Sequence, residues 1–559
     1  MTEPRQIALR PPETVMRLSR LGSLHQCRLS FMRILLRRLA GEAWRFERSV
    51  FDIDDKGVGH AVYTAHGPER SYSLVAFAHD LPAELRSDRV IAEAWDATFA
   101  MFDGVPDAAD IERLSQNVPL QEAGRVSEKE LSLSRANRSV RLWAHVTEAL
   151  AEGRQPDRGT MDDVGYLMRT TAVYGSGKFG AADRDKVAQR PEVHAPFQVE
   201  MMSVYLTRWF VRDLVEHMAR CKGGAKAVAL APDIARGLGI GNSTGLGMAP
   251  FLINHPVLVN NWITVREEAI RRVRAISNAT PEEVLTFKDR LARSEISVAR
   301  WQSAHEIQKA KLAALRADLD DLSTHLATFD FDVTHPWDEL AVWAEGGLSE
   351  EGQEMLLSLI LEPYGALVDG LASCMADDSG REAIDGAMPV AEVCALLERQ
   401  FAWARSLDWS DKKTCARAWY VSEEKLEPRL GERFEEPVED YEQPLAPARD
   451  AVAALSDLEG WADEAAVAEV LLKHPEHRHT VRRAQISARA PYGEIRDNTI
   501  SDQVMPIDML RAKLSFFGAT HFDPRSDRWV RICMFAGAPY PTELSAENVD
   551  DWVYPGAPE

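Results

Sequence analysis

The sequence predicts a mainly α, multi-helix protein with a small antiparallel β-sheet near the N-terminus, which one C-terminal strand can join. Three observations predict it. Apolar residues recur near the 3.6-residue helical period over most of the chain beyond residue 106. Three short runs rich in aromatic and β-branched residues lie between 44 and 80, and a fourth lies at 529–535. No apolar run approaches the roughly 20 residues that a membrane span needs.

Composition sets the class. The chain has 559 residues, 45% apolar and 27% charged, which are globular values. That length predicts several structural units. The six cysteines, Cys27, Cys221, Cys374, Cys394, Cys415 and Cys533, include no CxxC pair and no metal-ligand spacing. Scattered thiols fit a reducing, cytoplasmic compartment. The net charge is -22, although residues 1–50 hold ten Arg against four Glu. An acidic chain lacks the basic footprint of a nucleic-acid binder, and the polar, proline-containing first residues lack a secretory apolar core. No nucleic-acid and no membrane partner is expected.

The elements follow in order. Residues 13–41 predict one amphipathic helix with Met16, Leu18, Leu21, Leu24, Phe31, Leu35 and Leu39 on its apolar face. Arg17, Arg20, Arg28, Arg33, Arg37 and Arg38 decorate it, and pairing with this chain's abundant carboxylates is the expected use. Segments 44–53, 61–65 and 72–78 predict three antiparallel strands, because the turns between them are short. They complete an N-terminal α+β unit, 1–105. A helical core, 106–277, follows, with strong helical periodicity at 128–152 and 197–220.

Thr280-Pro281-Glu282-Glu283 starts a helix three times over: a cap, a proline at the first helical position and a capping box. From Val284 to Leu326 apolar residues keep 3,4 spacing, softened at Ser294, His305 and Gln308. That series predicts a long helical arm, 278–330, and a homodimer formed through 284–326. A helical unit, 331–421, comes next. An acidic, proline-containing connector, 422–449, is expected to hold no stable helix or strand. Residues 450–559 close the chain with helix and one strand.

Two glycine-rich stretches carry the functional expectation. In the first, Arg169 precedes Tyr174-Gly175-Ser176-Gly177-Lys178. Backbone N–H groups of such a loop can approach an anion. It is no Walker A loop, because Ala172 and Phe179 stand where Gly and Ser/Thr are needed. In the second, residues 237–250, five glycines surround Asn242, Ser243 and Thr244, and His255 follows. The order of glycines does not match a dinucleotide fingerprint; close packing of backbone through glycine competes with a ligand role. Arg169 and Lys178 are the expected anion holders. Gly175, Ser176, Gly177, Asn242, Ser243 and Thr244 would line the pocket, and Tyr174 or His255 would move a proton. The pocket is read as metal-independent, with no cofactor.

A third candidate is His474-Pro475-Glu476-His477-Arg478-His479. Three histidines suggest metal. No carboxylate–His helical motif supports it, Arg478, Arg482 and Arg483 would repel a cation, and a solvated helix end is the expectation. The polar segment 492–503 reads as a loop. The functional expectation is a metabolic enzyme acting on a small anionic molecule. The alternative is a dimeric helical scaffold or regulatory protein that binds a protein partner.

Overall fold

Helix is the commoner element, but the sheet is far larger than expected. The computed structural model describes the chain apart from residues 1–6, 87–93, 121–123, 171–186, 188–189, 194, 246–255, 376–383, 411–419, 422–427, 430–445, 494–504, 520, 524–528 and 554–559. The chain divides into two units. The sheet unit comprises Leu29–Ser243, Phe517–Asp523 and Arg531–Glu559; the helical unit comprises Met1–Arg28, Thr244–Phe516 and Pro524–Val530.

In the sheet unit, strands β1 (Arg45–Ile53), β2 (Gly59–His66), β3 (Ser71–Ala78), β4 (Ala97–Asp103), β5 (Glu130–Arg138) and β6 (Tyr166–Thr170) pair antiparallel in chain order. Strand β7 (Gly239–Gly245) then lies parallel to β6. A separate two-residue ladder, β8 (Tyr420–Val421) with β9 (Pro428–Arg429), belongs to the helical unit. Strands β10 (His521–Asp523) and β11 (Trp529–Met534) complete a nine-stranded sheet, ordered β1-β2-β3-β4-β5-β6-β7-β11-β10. This corrects the expectation of a small antiparallel sheet: the sheet is large and mixed. The C-terminal strand sits beside β7, at the far side from β1.

The reason lies in burial. A short strand covered on both faces carries no alternating pattern that separates it from helix. Strand β4 reads Ala-Thr-Phe-Ala-Met-Phe-Asp and is buried along nearly its whole length. Strand β7, Gly-Ile-Gly-Asn-Ser-Thr-Gly, has the composition of a turn. In β5, Leu131 and Leu133 alternate with Ser132 and Ser134, but both sets are buried.

Helices α1 (Phe31–Gly41), α2 (Ala108–Asn117), α3 (Trp143–Ala151) and α4 (Gln198–Gly223), with the shorter helices Arg158–Val164 and Pro232–Gly237, belong to this unit. Helix α4 packs on one face of the sheet, where the Tyr63 ring meets Trp209 at 4.9 Å and Phe99 meets Phe210 at 5.6 Å. It also forms the crossover that a parallel β6–β7 pair requires. Helix α2 serves the other face, where Leu114 and Val118 bury Val62, Val75, Phe77, Ala100, Phe102 and Leu133. Each Val, Leu or Phe of this set contributes about 1.5–3 kcal/mol.

The expected helix over 13–41 is broken. A helical turn at Pro12–Val15 and a 3-10 turn at Leu18–Arg20 precede Gly22, whose φ is +79°. A Cβ there would lie 2.9 Å from Ser515 Cβ, so only glycine fits. The arginines do meet carboxylates, each within its own unit. Arg17 and Arg20 pair with Glu350, Arg28 with Asp369, Arg33 and Arg37 with Asp550, and Arg38 with Glu42.

The helical unit holds α5 (Pro256–Arg274), α6 (Pro281–Arg300), α7 (Glu306–Leu326), α8 (Pro336–Gly347), α9 (Glu350–Leu359), α10 (Val390–Phe401), α11 (Ala446–Leu458), α12 (Val467–Lys473), α13 (Arg478–Arg489) and α14 (Pro506–Ala512). Thr280 and Glu283 form a reciprocal capping box at the start of α6, with bonds of 3.2 and 2.7 Å. The 284–326 series is not one arm. It breaks at 301–305, and α7 folds back along α6: Ser323 bonds Glu295, while Arg316 donates to the carbonyls of Val298 and Trp301. The seam residues Phe287, Leu291, Ser294, Val298, Gln308, Leu312, Leu315, Leu319, Leu322 and Leu326 are buried within this unit. They therefore give no ground for a homodimer. Most of 422–449 lies outside the described residues; β9 and the start of α11 fall inside that span. Among the described residues no helix is long and apolar enough to cross a membrane.

Candidate functional site

The parallel pair β6–β7 brings the described parts of the two glycine-rich stretches together. Arg169 lies opposite Gly241, and a Cβ on Gly241 would sit 2.7 Å from Arg169 Cγ and 2.6 Å from the Tyr166 ring. Gly241 is thus the residue that makes room for the arginine stem. A Cβ on Gly239 would meet the Met534 carbonyl at 2.3 Å. Close packing of protein accounts for both glycines. Alternation along β7 sends the next side chain, Asn242, to the other face of the sheet. There its amide donates to the Thr170 carbonyl at 3.0 Å, and its Oδ1 is buried with no hydrogen-bond partner. Arg169 and Asn242 are therefore neighbours in the backbone that serve opposite faces.

Ser243 and Thr244 continue β7, with their side chains outside what the structure describes. Tyr174, Gly175, Ser176, Gly177, Lys178 and His255 lie outside the described residues.

On its own face Arg169 joins groups that the sequence reading missed. Asn137 of β5 stands directly opposite it. Two residues along the same face comes Arg135, which pairs with Thr98 of β4. The two arginines are diagonal cross-strand neighbours, about 7–8 Å apart at the backbone. Arg169 is only 2% exposed, whereas Arg135 is half-buried with its guanidinium 4.1 Å over the Trp95 ring. Burial pulls Arg135 below its usual pKa. His79 approaches Thr98 Oγ1 at 3.1 Å; burial lowers its pKa, and Asp96 opposes that shift. An imidazole held down in this way stays neutral near pH 7.

The carboxylate of Asp96 is fully buried at the edge of this patch. It is ion-paired with Arg86 and accepts from the Arg138 backbone N–H at 2.9 Å. The same sheet face is apolar where α2 covers it and polar at His79, Thr98, Arg135, Asn137 and Arg169. One signal was available in the sequence. Leu133-Ser134-Arg135-Ala136-Asn137 puts Arg and Asn in step with a core leucine at period two.

Metal-ligating groups gather elsewhere. Among the described residues, Asp457, His474, Glu476 and His477 have ligand atoms within 4.8 Å of one another. All four belong to the helical unit. His477 is buried, so the expected solvated helix end is corrected there; His479 is exposed and stands apart from the group. Lys513, buried in a π-helical turn of that unit, is pulled down to about 7 by burial. Comparison with protein-family models, with curated proteins and with solved structures found nothing that matches this chain.

Proposed function

We propose that the sheet unit binds a small anion, a carboxylate or a phosphate, at the face formed by Arg169, Arg135, Thr98 and His79. On this reading the chain is a cytoplasmic metabolic enzyme acting on such a substrate in a metal-independent pocket. One observation carries the reading. Two arginines, one buried and one half-buried, stand side by side on one sheet face, at the carboxyl end of a parallel strand pair. That end of parallel strands is where ligands of open α/β sheets bind, and guanidinium forks match carboxylate and phosphate geometry. The placement also answers the charge problem. A chain of net charge -22 needs a local basic island to attract an anion. His79, neutral at physiological pH, is the described group that can exchange a proton with a bound substrate. Asn242, aimed at the other face, is assigned to closing the end of β6 rather than to the substrate.

Isothermal titration with a panel of inorganic phosphate, dicarboxylates and phosphorylated metabolites tests this. At least one member should bind the full chain, and Arg135→Gln should weaken it about 10- to 100-fold, the value of a charge-assisted bond. Arg169→Lys should weaken it as well, because a point charge replaces a fork. Failure of every anion to bind, or equal binding by Arg135→Gln, would overturn the reading.

A further inference from the structure

We propose that Asp457, His474, Glu476 and His477 form a zinc site that staples the helical unit. The site draws on two segments. Asp457 stands one residue before the end of α11, while the other three lie in the 3-10 turn, and at its N-cap, between α12 and α13. The turn explains why the histidines cooperate. In a 3-10 turn, side chains three apart eclipse. His474 and His477 accordingly stack, with ring centroids 5.8 Å apart and planes at 14°. Pro475 occupies the first helical position and fixes the entry to that turn.

Both rings turn to the same carboxylate. His477 Nε2 lies 2.7 Å and His474 Nδ1 3.5 Å from Asp457 Oδ2, and Glu476 Oε1 lies 3.3 Å from His474 Nδ1. Ligands at 2.0–2.1 Å around a tetrahedral ion sit roughly 3.3 Å from one another. Of the six separations among four ligands, two are close to that value, one must open by about half an ångström to admit the ion, and the other three lie within 4.8 Å. The donor set is two imidazole nitrogens and two carboxylate oxygens. Imidazole suits zinc and its transition-metal neighbours, and thiolate is not required. Two carboxylates balance a dication, so the closed site is neutral.

Two of the basic neighbours are engaged with aromatic rings. Lys473 lies over the Trp461 ring at 4.5 Å, and Arg483 lies over Phe401 at 5.9 Å. The burial is graded. His477 is buried, His474 and Asp457 are partly exposed, and Glu476 is exposed. An ion can therefore enter from solvent on the Glu476 side. A closed four-ligand set is the structural class of zinc site. It would tie the end of α11 to the junction of α12 and α13. The site lies in the helical unit and is independent of the anion reading, which concerns the other unit.

The test uses the full chain, stripped with EDTA and titrated with zinc chloride against a chromophoric competitor. One equivalent should bind tightly and raise the melting temperature. His474→Gln and Asp457→Asn, conservative changes at partly exposed side chains, should each weaken that equivalent at least about tenfold and abolish the rise in melting temperature. His479→Gln should change neither, because His479 is outside the site. Cobalt substituted for zinc should give tetrahedral d–d absorption in the wild-type chain and lose it in Asp457→Asn. Absence of tight zinc binding by the wild-type chain would overturn the proposal. So would undiminished binding by both His474→Gln and Asp457→Asn, since the zinc would then sit on other histidines.

Discussion

At Glu354 burial and charge act in opposite directions. Burial pushes the carboxyl upward, but Arg10 and Arg266 outweigh it and bring the pKa down to about 2. Arg266 Nη2 donates to Glu354 at 2.8 Å, while Arg10 reaches Glu354 and grips Glu267 bidentately at 2.8 and 2.7 Å. The folded pKa is depressed below the unfolded one. The stabilisation is therefore present above about pH 4.5 and is lost as pH falls through about 2. A shift of that size is worth about 3 kcal/mol as an order of magnitude. Urea denaturation at pH 7, 4.5 and 2.5 should show Glu354→Gln less stable at pH 7 by about 3–5 kcal/mol, since two buried guanidiniums lose one of their carboxylate partners. It should also show the gap to wild type narrowing at pH 2.5. A gap that stays constant with pH would mean that Glu354 is not held ionised by these arginines. None of this network was legible in the sequence, because its arginines and glutamates come from three distant segments. Arg169 was legible as a basic residue before a glycine run. Its true neighbour Arg135 was not, because only strand pairing brings the two together.

Among the elements, signals confined to a few consecutive residues were the readable ones. The capping box at Thr280 and Glu283 needs only four residues, and it stands where the sequence puts it. The 3,4 spacing of 284–326 marks helix and buried residues, but the sequence does not show the fold-back at 301–305. The spacing runs on through the break because both helices pack in one core. Arg316, which ties α7 to the carbonyl end of α6, looks like any solvated basic residue. The strands were harder still. β1 to β3 carry aromatic and β-branched residues, whereas β6 is short and buried and β7 is built of glycine and small polar residues around one isoleucine. Leu319 is buried inside the α6–α7 hairpin at 2% exposure, so Leu319→Ala should cost about 2–5 kcal/mol in chemical denaturation. Sedimentation should show no change in association state. Loss of a dimer at unchanged stability would instead return the seam to an intermolecular role.

For the whole molecule, chain order and spatial order diverge, and this limits any reading by consecutive segments. Neither unit is a continuous stretch. The sheet unit needs 517–523 and 531–559, which follow the entire helical unit in sequence. The dependence is chemical as well as topological. Arg208, fully buried on α4, donates to the carbonyls of Leu238 and Arg236 and also to that of Ala538 at 2.8 Å. Arg236 Nε donates to the Gly537 carbonyl at 2.9 Å, and Tyr205 OH to the Pro539 carbonyl at 2.8 Å. Buried Arg33 relies on Asp550 at 3.1 Å. A fragment of residues 29–243 keeps β1 to β6 and most of β7 but loses β10, β11 and the acceptors at Gly537, Ala538, Pro539 and Asp550. Each buried donor left unpaired costs about 1–3 kcal/mol, and more for a guanidinium. Several together are comparable with the roughly 5–15 kcal/mol that holds a domain folded. The fragment should therefore melt without cooperativity by circular dichroism, and co-expression with residues 517–559 should restore a cooperative transition. A sharp transition in the lone fragment at the full chain's temperature would show that the C-terminal strands and the 536–540 carbonyls are accessories, and that the sheet is held by α2 and α4 alone.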